Sequence, residues 1–263
     1  MTDKSPSEIL ERQSSRSNWS GAEGGNVKHI VRCLDLFCCG GGAGSGYAQA
    51  GMEVTGVDIE SQPQYPFAFV QGDALEYLCE HGHKFDFIHA SPPCQGYSSH
   101  VSSRSSRWVP TAGKDEPKLI ADVRALLQES GKPWVIENVM GARHSMNATL
   151  LLCGTMFGLP TPRHRLFETS WMVMQPHHPP CRGVAKAYAA KRGWEYRDMT
   201  VTGKGRRKGT AQRWAEVLGI GHALTQHQLA EAIPPAYTRW IGEQFLTANI
   251  ALCVKTHSKE SAQ

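Results

Sequence analysis

The feature that most constrains how this chain folds is a short apolar segment that runs directly into a cluster of glycines. Residues 31–37, VRCLDLF, have the composition of a buried strand, and CCGGGAGSG and YAQAG follow at once. A strand, a glycine turn and the start of a helix leave free backbone N–H groups around a ligand, which glycines allow to approach closely. We therefore expect a ligand pocket at the end of this first strand.

Strand-type and helix-type segments alternate through the first half of the chain. Further strands are predicted at EVTGVD (53–58), FAFV (67–70), FDFIHAS (85–91) and PWVIENV (133–139), with an amphipathic helix within 115–130 and a last helix over 234–252. This alternation predicts βαβ units. The expected fold class is α/β, with a doubly wound, mostly parallel sheet that helices cover on both faces.

The length of 263 residues allows one or two domains. We expect a disordered lead-in at 1–26, the first part of the main domain at 27–171 and a small, irregular basic region at 172–222. Residues 223–252 are expected to form a helical segment that completes the main domain, followed by a frayed tail at 253–263.

The sequence argues against three classes of protein: membrane-spanning proteins, secreted proteins and disulfide scaffolds. No stretch approaches the roughly 18 apolar residues of a membrane span, and the first residues lack the apolar core of a secretory signal. Eight cysteines are too few for a disulfide scaffold in a chain of this length. We therefore expect a cytoplasmic protein without membrane contacts, and the absence of a long additional domain favours a bacterial or phage-infected cell.

The net charge of +4 conceals a strong asymmetry. Residues 182–214 hold ten Lys and Arg against two acidic residues, a net charge of +8, so the rest of the chain carries −4. A basic segment on a mildly acidic body is typical of a polyanion-binding face, although a solvated basic loop has the same composition.

Three acidic residues stand where the predicted strands end. Asp35 precedes the glycine loop, Asp58 ends the second strand and Asp73 follows the third. A carboxylate at the end of the second strand can accept hydrogen bonds from ribose hydroxyls. The glycine string has neither the Lys-Ser/Thr pair of a P-loop nor a complete dinucleotide fingerprint. A nucleoside cofactor without phosphates is the better fit, and a tight turn with two surface acids is the alternative.

Two further motifs fall at the same predicted edge of the sheet. ASPPCQGYSS (90–99) follows the fourth strand, and Pro92 and Pro93 stiffen the backbone before Cys94. A thiol held in this way is a candidate nucleophile, since the thiolate is the reactive form. Glu137, in the sequence ENV, ends the fifth strand. Burial there would raise its pKa and let it carry a proton near neutral pH; a structural carboxylate is the alternative.

The remaining cysteines and histidines carry less signal. Four cysteines are expected to be small buried hydrophobic side chains, namely Cys33, Cys79, Cys153 and Cys253. HHPPC (177–181) and CEHGH (79–83) each supply three possible zinc ligands, but neither has paired Cys-x-x-Cys spacing. We therefore expect no bound metal.

Seven short motifs occur in a fixed order across residues 34–246. They are DLFCCGGGAGSGYAQAG, GVDI, GDAL, SPPCQGYS, ENV, TPRHRLF (161–167) and AEAIPPAYTRWIG (230–242). In this order they resemble the motifs of the DNA cytosine-5 methyltransferases. SPPCQGYS resembles that family's catalytic motif, ENV its catalytic glutamate motif and TPRHRLF its arginine motif. The combination of Pro-Pro-Cys-Gln with Glu-Asn-Val is highly specific.

The resemblance implies a Rossmann-like methyltransferase fold that binds S-adenosyl-L-methionine and acts on double-stranded DNA; we expect a monomer. Matched onto this chain, the catalytic residues are Cys94, Glu137, Arg163 and Arg165. The cofactor-binding residues are Asp35, Phe37, Gly41, Gly42, Gly46, Asp58, Ile59, Asp73, Pro92, Glu231 and Ala232. The substrate-binding residues are Gln95, Ser98, Arg104, Arg107 and Asn138.

The resemblance also implies individual roles. Asp58 would bind the ribose, Ile59 would lie against the adenine and Asp73 would accept from its amino group. Arg163 and Arg165 would line the base pocket or hold the phosphate of a flipped nucleotide, with structural ion pairs as the alternative. The stretch 98–114 would be a mobile catalytic loop, and the basic region at 172–222 would recognise the target.

The implied reaction begins with attack of the Cys94 thiolate on carbon 6 of a flipped cytosine, which makes carbon 5 nucleophilic. Glu137 would contact ring nitrogen 3 and the exocyclic amine. Three alternatives stay open: an RNA cytosine-5 methyltransferase, a related one-carbon transferase acting on the same carbon, and a catalytically silent DNA-binding homologue.

Three positions depart from the family pattern. Cys39 stands in place of the first glycine of the first motif, where a side chain can crowd the methionine part of the cofactor. Thr161 replaces the Gln of the arginine motif. Glu231 replaces the Asn before the last Pro-Pro, which changes the hydrogen bonding of that loop.

Overall fold

The computed structural model of the chain describes residues 29–97, 99–101, 108–110, 118–147, 149–195, 201 and 210–260. The predicted lead-in at 1–26 and the candidate substrate-binding residues Ser98, Arg104 and Arg107 lie outside the described residues. Within the described part of the chain, no helix combines the length and apolar character that crossing a membrane requires.

A seven-stranded sheet forms the centre of the fold. Its strands are β1 (Arg32–Leu36), β2 (Glu53–Asp58), β3 (Ala68–Gln71), β4 (Phe87–Ala90), β7 (Trp134–Asn138), β8 (Thr149–Leu152) and β9 (Arg165–Thr169), while β5 (Ser99–Val101) and β6 (Trp108–Pro110) form a separate antiparallel pair. The strand order is β3-β2-β1-β4-β7-β9-β8. The first five strands in this order are parallel, whereas β9 is antiparallel to both β7 and β8. The predicted mostly parallel sheet is confirmed.

Seven α-helices accompany the sheet in the described residues. They are α1 (Gly42–Ala50), α2 (Ala74–His81), α3 (Ile120–Glu129), α4 (Cys181–Lys191), α5 (Ala211–Leu218), α6 (Gln226–Glu231) and α7 (Pro235–Glu260). Short 3-10 turns occupy Gly82–Lys84, Gln95–Tyr97, Met140–Ser145 and Gly154–Phe157. The last helix therefore runs past the expected end at 252, and α3 begins later than the predicted helical segment does.

Side chains on each central strand alternate between the two faces of the sheet, as the period of two requires. Leu34 and Leu36 of β1 belong to one apolar cluster together with Ile120 and Leu127 of α3. This cluster is the core on the α2–α3 face of the sheet.

The opposite face packs against α1 and α7. Cys33 of β1 and Phe87 of β4 share a second apolar cluster with Tyr47 of α1 and Tyr237 of α7. Val135 of β7 belongs to the same cluster. Two residues further along each of these three strands, the same face carries a polar side chain: Asp35 on β1, His89 on β4 and Glu137 on β7. The alternation thus assigns all three polar groups to the face covered by α1 and α7.

A third apolar cluster gives the basic region its own core. Trp214 and Leu218 of α5 pack with Ala185 of α4, and the cluster extends to Leu229 and Ala232. The region expected to be irregular therefore contains two helices, and its core includes residues beyond the predicted boundary at 222.

Two basic side chains of this region stabilise the region itself. The guanidinium carbons of Arg192 and Arg213 lie 5.5 and 4.4 Å from the centroid of the Trp194 ring. Arg192 also forms an ion pair with Glu216. These cation–π contacts fix α4 relative to α5, since Trp194 follows the first helix and Arg213 lies in the second.

Helix α1 packs closely against α7 at Gly46. A β-carbon there would lie 2.0 Å from Thr238 Oγ1 and 2.1 Å from the Pro235 carbonyl oxygen. We expect Gly46→Ala to lower the free energy of unfolding by about 2–3 kcal/mol, because a backbone oxygen cannot yield as a flexible side chain does. Chemical denaturation measures this change.

The matched control for this variant is Gly183→Ala in α4, where a β-carbon would meet nothing within 4 Å. Alanine has the higher helix propensity, so this variant should be neutral or more stable by up to about 1 kcal/mol. Equal stability of the two variants would contradict the packing at Gly46.

Candidate active site

A cavity of about 510 Å³ opens at the edge of the sheet where the parallel strands end. Its volume falls in the range of about 300–1,000 Å³ that is typical of small-molecule sites. Twelve residues predicted for the site line it, namely Asp35, Phe37, Gly42, Asp58, Ile59, Pro92, Cys94, Gln95, Glu137, Arg165, Glu231 and Ala232.

Strand direction explains why these residues meet. Parallel strands end at one edge of a sheet, so the residues that end or follow β1, β2, β4 and β7 surround one crevice. Arg165 reaches the same edge because it begins β9, which runs antiparallel to β7, so the start of β9 lies beside the end of β7. In this register Leu166 pairs with Asn138.

The loop after β1 has an unusual backbone. Phe37 and Cys39 have positive φ angles of 58° and 44°, a conformation that costs a non-glycine residue about 1–3 kcal/mol. The Cys39 N–H donates to Asp58 Oδ2 at 2.8 Å, and the Glu60 N–H donates to Asp58 Oδ1 at 3.0 Å. Asp58 thus holds the strained loop to the end of β2 and lines the cavity as well.

Asp35 is a fully buried carboxyl group beside the cavity. Its Oδ2 accepts a hydrogen bond from the Tyr65 hydroxyl at 3.0 Å, and its Oδ1 has no hydrogen-bond partner among the described residues. Burial raises the pKa of Asp35 to about 7, although the Tyr65 hydrogen bond opposes this rise. The carboxyl group therefore has an unused acceptor and titrates near neutral pH.

Glu137 is the second buried carboxyl group of the cavity. Arg165 Nε lies 2.9 Å from Glu137 Oε1, but the contact lacks the geometry of a hydrogen bond, so Oε1 remains without a hydrogen-bond donor among the described residues. Burial raises the pKa of Glu137, and the positive charges of Arg165 and Arg163 only partly offset this effect. Such a carboxyl group can accept a proton from a ligand or share one with it.

A chain of polar groups leads away from Glu137. The Ser91 hydroxyl is in hydrogen-bonding range of the Glu137 carboxyl group, and Ser91 Oγ lies 2.8 Å from His89 Nε2. His89 Nδ1 lies 2.9 Å from the Tyr47 hydroxyl. Burial lowers the pKa of His89 to about 3, so its ring is neutral and can accept from Tyr47 while donating to Ser91.

Cys94 sits half-buried on the loop after β4. Asn138 Nδ2 donates to the Pro92 carbonyl oxygen at 2.9 Å, which ties this loop to the end of β7. The Tyr97 N–H donates to the Cys94 carbonyl oxygen at 3.0 Å, which closes the following turn. The thiol is therefore carried by a segment that is held on both sides.

Glu231 joins three segments at the cavity. Gln95 Nε2 donates to Glu231 Oε1 at 3.5 Å, and Cys39 Sγ lies 3.8 Å from Glu231 Oε2. Burial raises the pKa of Cys39 to about 12, with a further contribution from the Glu231 charge. Cys39 is consequently a neutral thiol, and two departures from the family pattern contact each other.

Four predicted site residues lie outside the cavity lining. Asp73 caps α2, with Oδ1 accepting from the N–H groups of Leu75 and Glu76. Gly41 precedes α1 at a φ of 81°, and Gly46 packs against α7. Asn138 is buried and holds the Pro92 carbonyl group, as described above. The structure thus places these residues around the site rather than at its surface.

Arg163 is the fifth predicted residue that does not reach the cavity lining. Its buried guanidinium donates to the carbonyl oxygens of Ala230, Val201 and Ala232 at 2.6, 3.0 and 2.9 Å. Burial lowers its pKa to about 9. The side chain stabilises the contact between the arginine motif, the basic region and the last motif, and neither predicted role, base contact or ion pair, describes it.

The unassigned cysteines differ among themselves. Cys33 and Cys153 are buried as expected, but Cys79 is exposed on α2, so the expectation of burial is wrong there. The side chain of Cys253 lies outside the described residues.

The sequence did not single out the Ser91, His89 and Tyr47 chain. Part of this chain could have been found from the sequence. His89 is a polar residue inside an apolar strand, and Ser91, two residues later, lies on the same face of the sheet because side chains alternate with a period of two. Tyr47 gives no such signal, because its contact with His89 depends on how α1 packs on the sheet.

The fold is that of Rossmann-like methyltransferases. The S. pombe Dnmt2 methyltransferase aligns with 84% of this chain and 99% of its own, with a TM-score of 0.50 and 13% identity. The Entamoeba histolytica methyltransferase EhMeth aligns with 82% of this chain and 98% of its own, with a TM-score of 0.52 and 13% identity. At such low identity the likeness establishes a shared fold.

One curated relative is similar in sequence as well. The Type II methyltransferase M.AgeI of Thalassovita gelatinovora is 28% identical over 165 residues, a region that covers 52% of this chain and 38% of that protein. No protein-family model matches the chain. Together these comparisons show that the chain has the fold of methyltransferases and that about half of it is similar in sequence to a Type II methyltransferase, while it spans less than half the length of that relative.

The raised pKa of Asp35 predicts a pH-dependent contribution to stability. Folding raises this pKa from 3.8 to about 7, so the native state takes up a proton and loses stability as the pH rises through that interval. Asparagine cannot ionise. Between about pH 5 and pH 7, the free energy of unfolding of Asp35→Asn should therefore rise relative to that of the wild type by on the order of 1 kcal/mol for each pH unit. Denaturant unfolding at several pH values measures this difference.

The control is Asp86→Asn. Although partial burial alone would raise it, contacts with Arg32 lower the pKa of Asp86, so this carboxyl group is ionised in both states over the same interval. Its stability difference from the wild type should change much less between about pH 5 and pH 7 than that of Asp35→Asn. An equally small change in Asp35→Asn would show that Asp35 is not protonated near neutral pH.

Proposed function

We propose that the protein transfers a methyl group from S-adenosyl-L-methionine to carbon 5 of cytosine in DNA. One observation carries the proposal: a single cavity is lined by the Cys94 thiol, by the buried carboxyl group of Glu137 and by acidic residues at the ends of β1 and β2. Methyltransferase activity is the coarser conclusion, which the similarity to methyltransferases supports.

The residues present fit the proposed cofactor, which carries an adenosine group and two positively charged centres. Asp58 offers carboxylate oxygens at the end of β2, and Ile59 beside it is 70% exposed at the cavity, as an adenine contact requires. The Oδ1 atom of buried Asp35 has no hydrogen-bond partner in the part of the chain that the structure describes, so it provides an acceptor for a cationic group. Bound there, S-adenosyl-L-methionine would supply an electrophilic methyl group.

Cys94 is the proposed nucleophile. Its thiolate adds to carbon 6 of the cytosine ring, which converts carbon 5 from a poor nucleophile into a reactive enamine carbon. After transfer, the carbon-5 proton passes to a water molecule, the electrons of that C–H bond re-form the double bond between carbons 5 and 6, and the bond from carbon 6 to sulfur breaks to release the thiolate. The proline-stiffened loop and the Asn138 contact keep the sulfur in one position, so little reorganisation is needed for attack.

Glu137 is the proposed partner of the pyrimidine ring. As a carboxyl group with a raised pKa, it can share a proton with ring nitrogen 3. Its Oε1 atom, which accepts no hydrogen bond from the described residues, can accept one from the exocyclic amine. Negative charge that develops on the ring during thiolate attack is thereby stabilised. Arg165 holds the carboxyl group in place beside the cavity.

A cytosine inside a duplex cannot enter a cavity of this kind. The base must be turned out of the stack at a cost of a few kcal/mol. The basic region at 172–222 offers charges that can bind the phosphate backbone and offset this cost. Arg182, Lys186 and Lys191 on α4 are exposed and can make such contacts.

Replacing Cys94 tests the nucleophile. We expect Cys94→Ser to lower methyl transfer by more than about 10³-fold while leaving cofactor affinity within about threefold, because only the covalent step needs the thiolate. A tritium-transfer assay and calorimetric titration with the cofactor measure the two quantities. Cys79→Ser, at an exposed site on α2, serves as the matched control and should keep full activity.

Comparing polynucleotides tests the substrate. Duplex DNA and transfer RNA are offered side by side to the same enzyme, and the products are digested and analysed by mass spectrometry. The proposal predicts 5-methylcytosine in DNA at a rate at least about tenfold above that in RNA. Preferential modification of RNA would contradict the proposal and identify an RNA cytosine-5 methyltransferase. A product base heavier than methylcytosine would show that the transferred group comes from a different one-carbon donor.

A further inference from the structure

A second group of chemically reactive side chains lies away from the cavity, where the antiparallel end of the sheet meets the basic region. Cys153, His164, His178 and Cys181 each offer one ligand atom, and these four atoms all lie within 4.8 Å of one another. We propose that this Cys2His2 cluster binds one structural zinc ion.

The distances within the cluster match tetrahedral coordination. His164 Nε2 lies 3.4 Å from His178 Nε2 and 3.9 Å from Cys181 Sγ. With Zn–N bonds of about 2.0–2.1 Å and Zn–S bonds of about 2.3 Å, a tetrahedron separates two nitrogens by about 3.3 Å and a nitrogen from a sulfur by about 3.6 Å. These two separations are close to those of tetrahedral zinc, and the remaining pairs of ligand atoms lie within 4.8 Å of each other.

The types of ligand favour zinc over other metals. Two thiolates and two imidazoles in a tetrahedral arrangement are typical of zinc, whereas magnesium and calcium require oxygen ligands. Four protein ligands also leave no open coordination position, which is the arrangement of a structural rather than a catalytic ion. The cluster contributes no residue to the cavity lining, so the ion has no part in the proposed reaction.

The positions of the ligands indicate what the ion would hold together. Cys153 follows β8 and His164 immediately precedes β9, so both belong to the antiparallel end of the central sheet. His178 lies in the irregular segment after β9, and Cys181 begins α4. One ion would therefore fasten the basic region to the sheet directly beside Arg165.

The sequence hides this cluster. The segment 177–181 was expected to hold no metal because it lacks a second pair of closely spaced ligands, and Cys153 was expected to be an ordinary buried side chain. The structure supplies the missing pair from the two ends of the β8–β9 connection. The other candidate segment, 79–83, contributes no residue to the cluster.

Elemental analysis of chain purified without a histidine tag, from cells grown in zinc-supplemented medium, tests the site. We expect one zinc per chain. His178→Ala and Cys181→Ser should each lower the zinc content to below about a fifth, whereas the neighbouring His177→Ala and the exposed Cys79→Ser should leave it unchanged. Removal of zinc by a chelator should lower the melting temperature of the wild type by about 5 °C or more.

Cobalt substitution gives a readout that does not depend on whether the variants fold. Wild-type chain stripped of metal and titrated with Co²⁺ should develop tetrahedral ligand-field absorption and a sulfur-to-cobalt charge-transfer band, with an endpoint at one equivalent. The proposal is overturned by wild-type chain that contains no zinc and shows no such bands. It is equally overturned by a Cys153–Cys181 disulfide in the native protein, or by equal metal loss in His177→Ala and His178→Ala.

Discussion

The site depends above all on keeping a carboxylate buried. Glu137 lies at the end of a central strand where water is largely excluded, and an uncompensated charge in such a position is strongly unfavourable. Two features compensate for it: the guanidinium of Arg165 lies 2.9 Å from one oxygen, and burial raises the pKa of the carboxyl group. The same group is consequently stable in the fold and able to exchange a proton with a ligand.

This pairing requires the one antiparallel strand of the central sheet. If β9 ran parallel to β7, its first residue would lie at the opposite edge from the cavity. Arg124 of α3 holds β9 in place through two hydrogen bonds to Glu168, at 2.6 and 2.8 Å. Arg163, two residues before Arg165, joins the same connection to the carbonyl groups of the last motif. The stretch that carries Arg165 is therefore held by α3 on one side, through Glu168, and by the last motif on the other, through Arg163.

The central part of the fold was predictable from local sequence. β2 matches its predicted range, and β1, β4 and β7 lie within theirs, because buried parallel strands are short apolar runs bounded by polar or glycine residues. The strand β9 was not predicted. Apolar and polar residues alternate only weakly in its sequence, RLFET, which begins with an arginine. The direction of the strand is set by its pairing with β7, and a local sequence pattern does not show such a pairing.

The location of a residue was predictable where it follows from the end of a strand. Asp35, Asp58, Cys94 and Glu137 were expected at one edge of the sheet, and all four line the cavity there. The location was not predictable where it depends on packing between distant segments. Gly46 meets α7, Arg163 meets carbonyl groups of three residues far along the chain, and Asp73 satisfies the N–H groups of its own helix.

The most direct test of the proposed chemistry is to identify the residue that forms a covalent bond with the target cytosine. Duplex DNA with 5-fluorocytosine at the target position cannot lose the carbon-5 substituent, so it should trap the protein when S-adenosyl-L-methionine is present. Mass spectrometry of the digested adduct should find the nucleotide on the peptide that contains Cys94. Attachment at Cys38 or Cys39, the other thiols that line the cavity, would contradict the assignment, as would methylation of ordinary DNA without any trapped adduct.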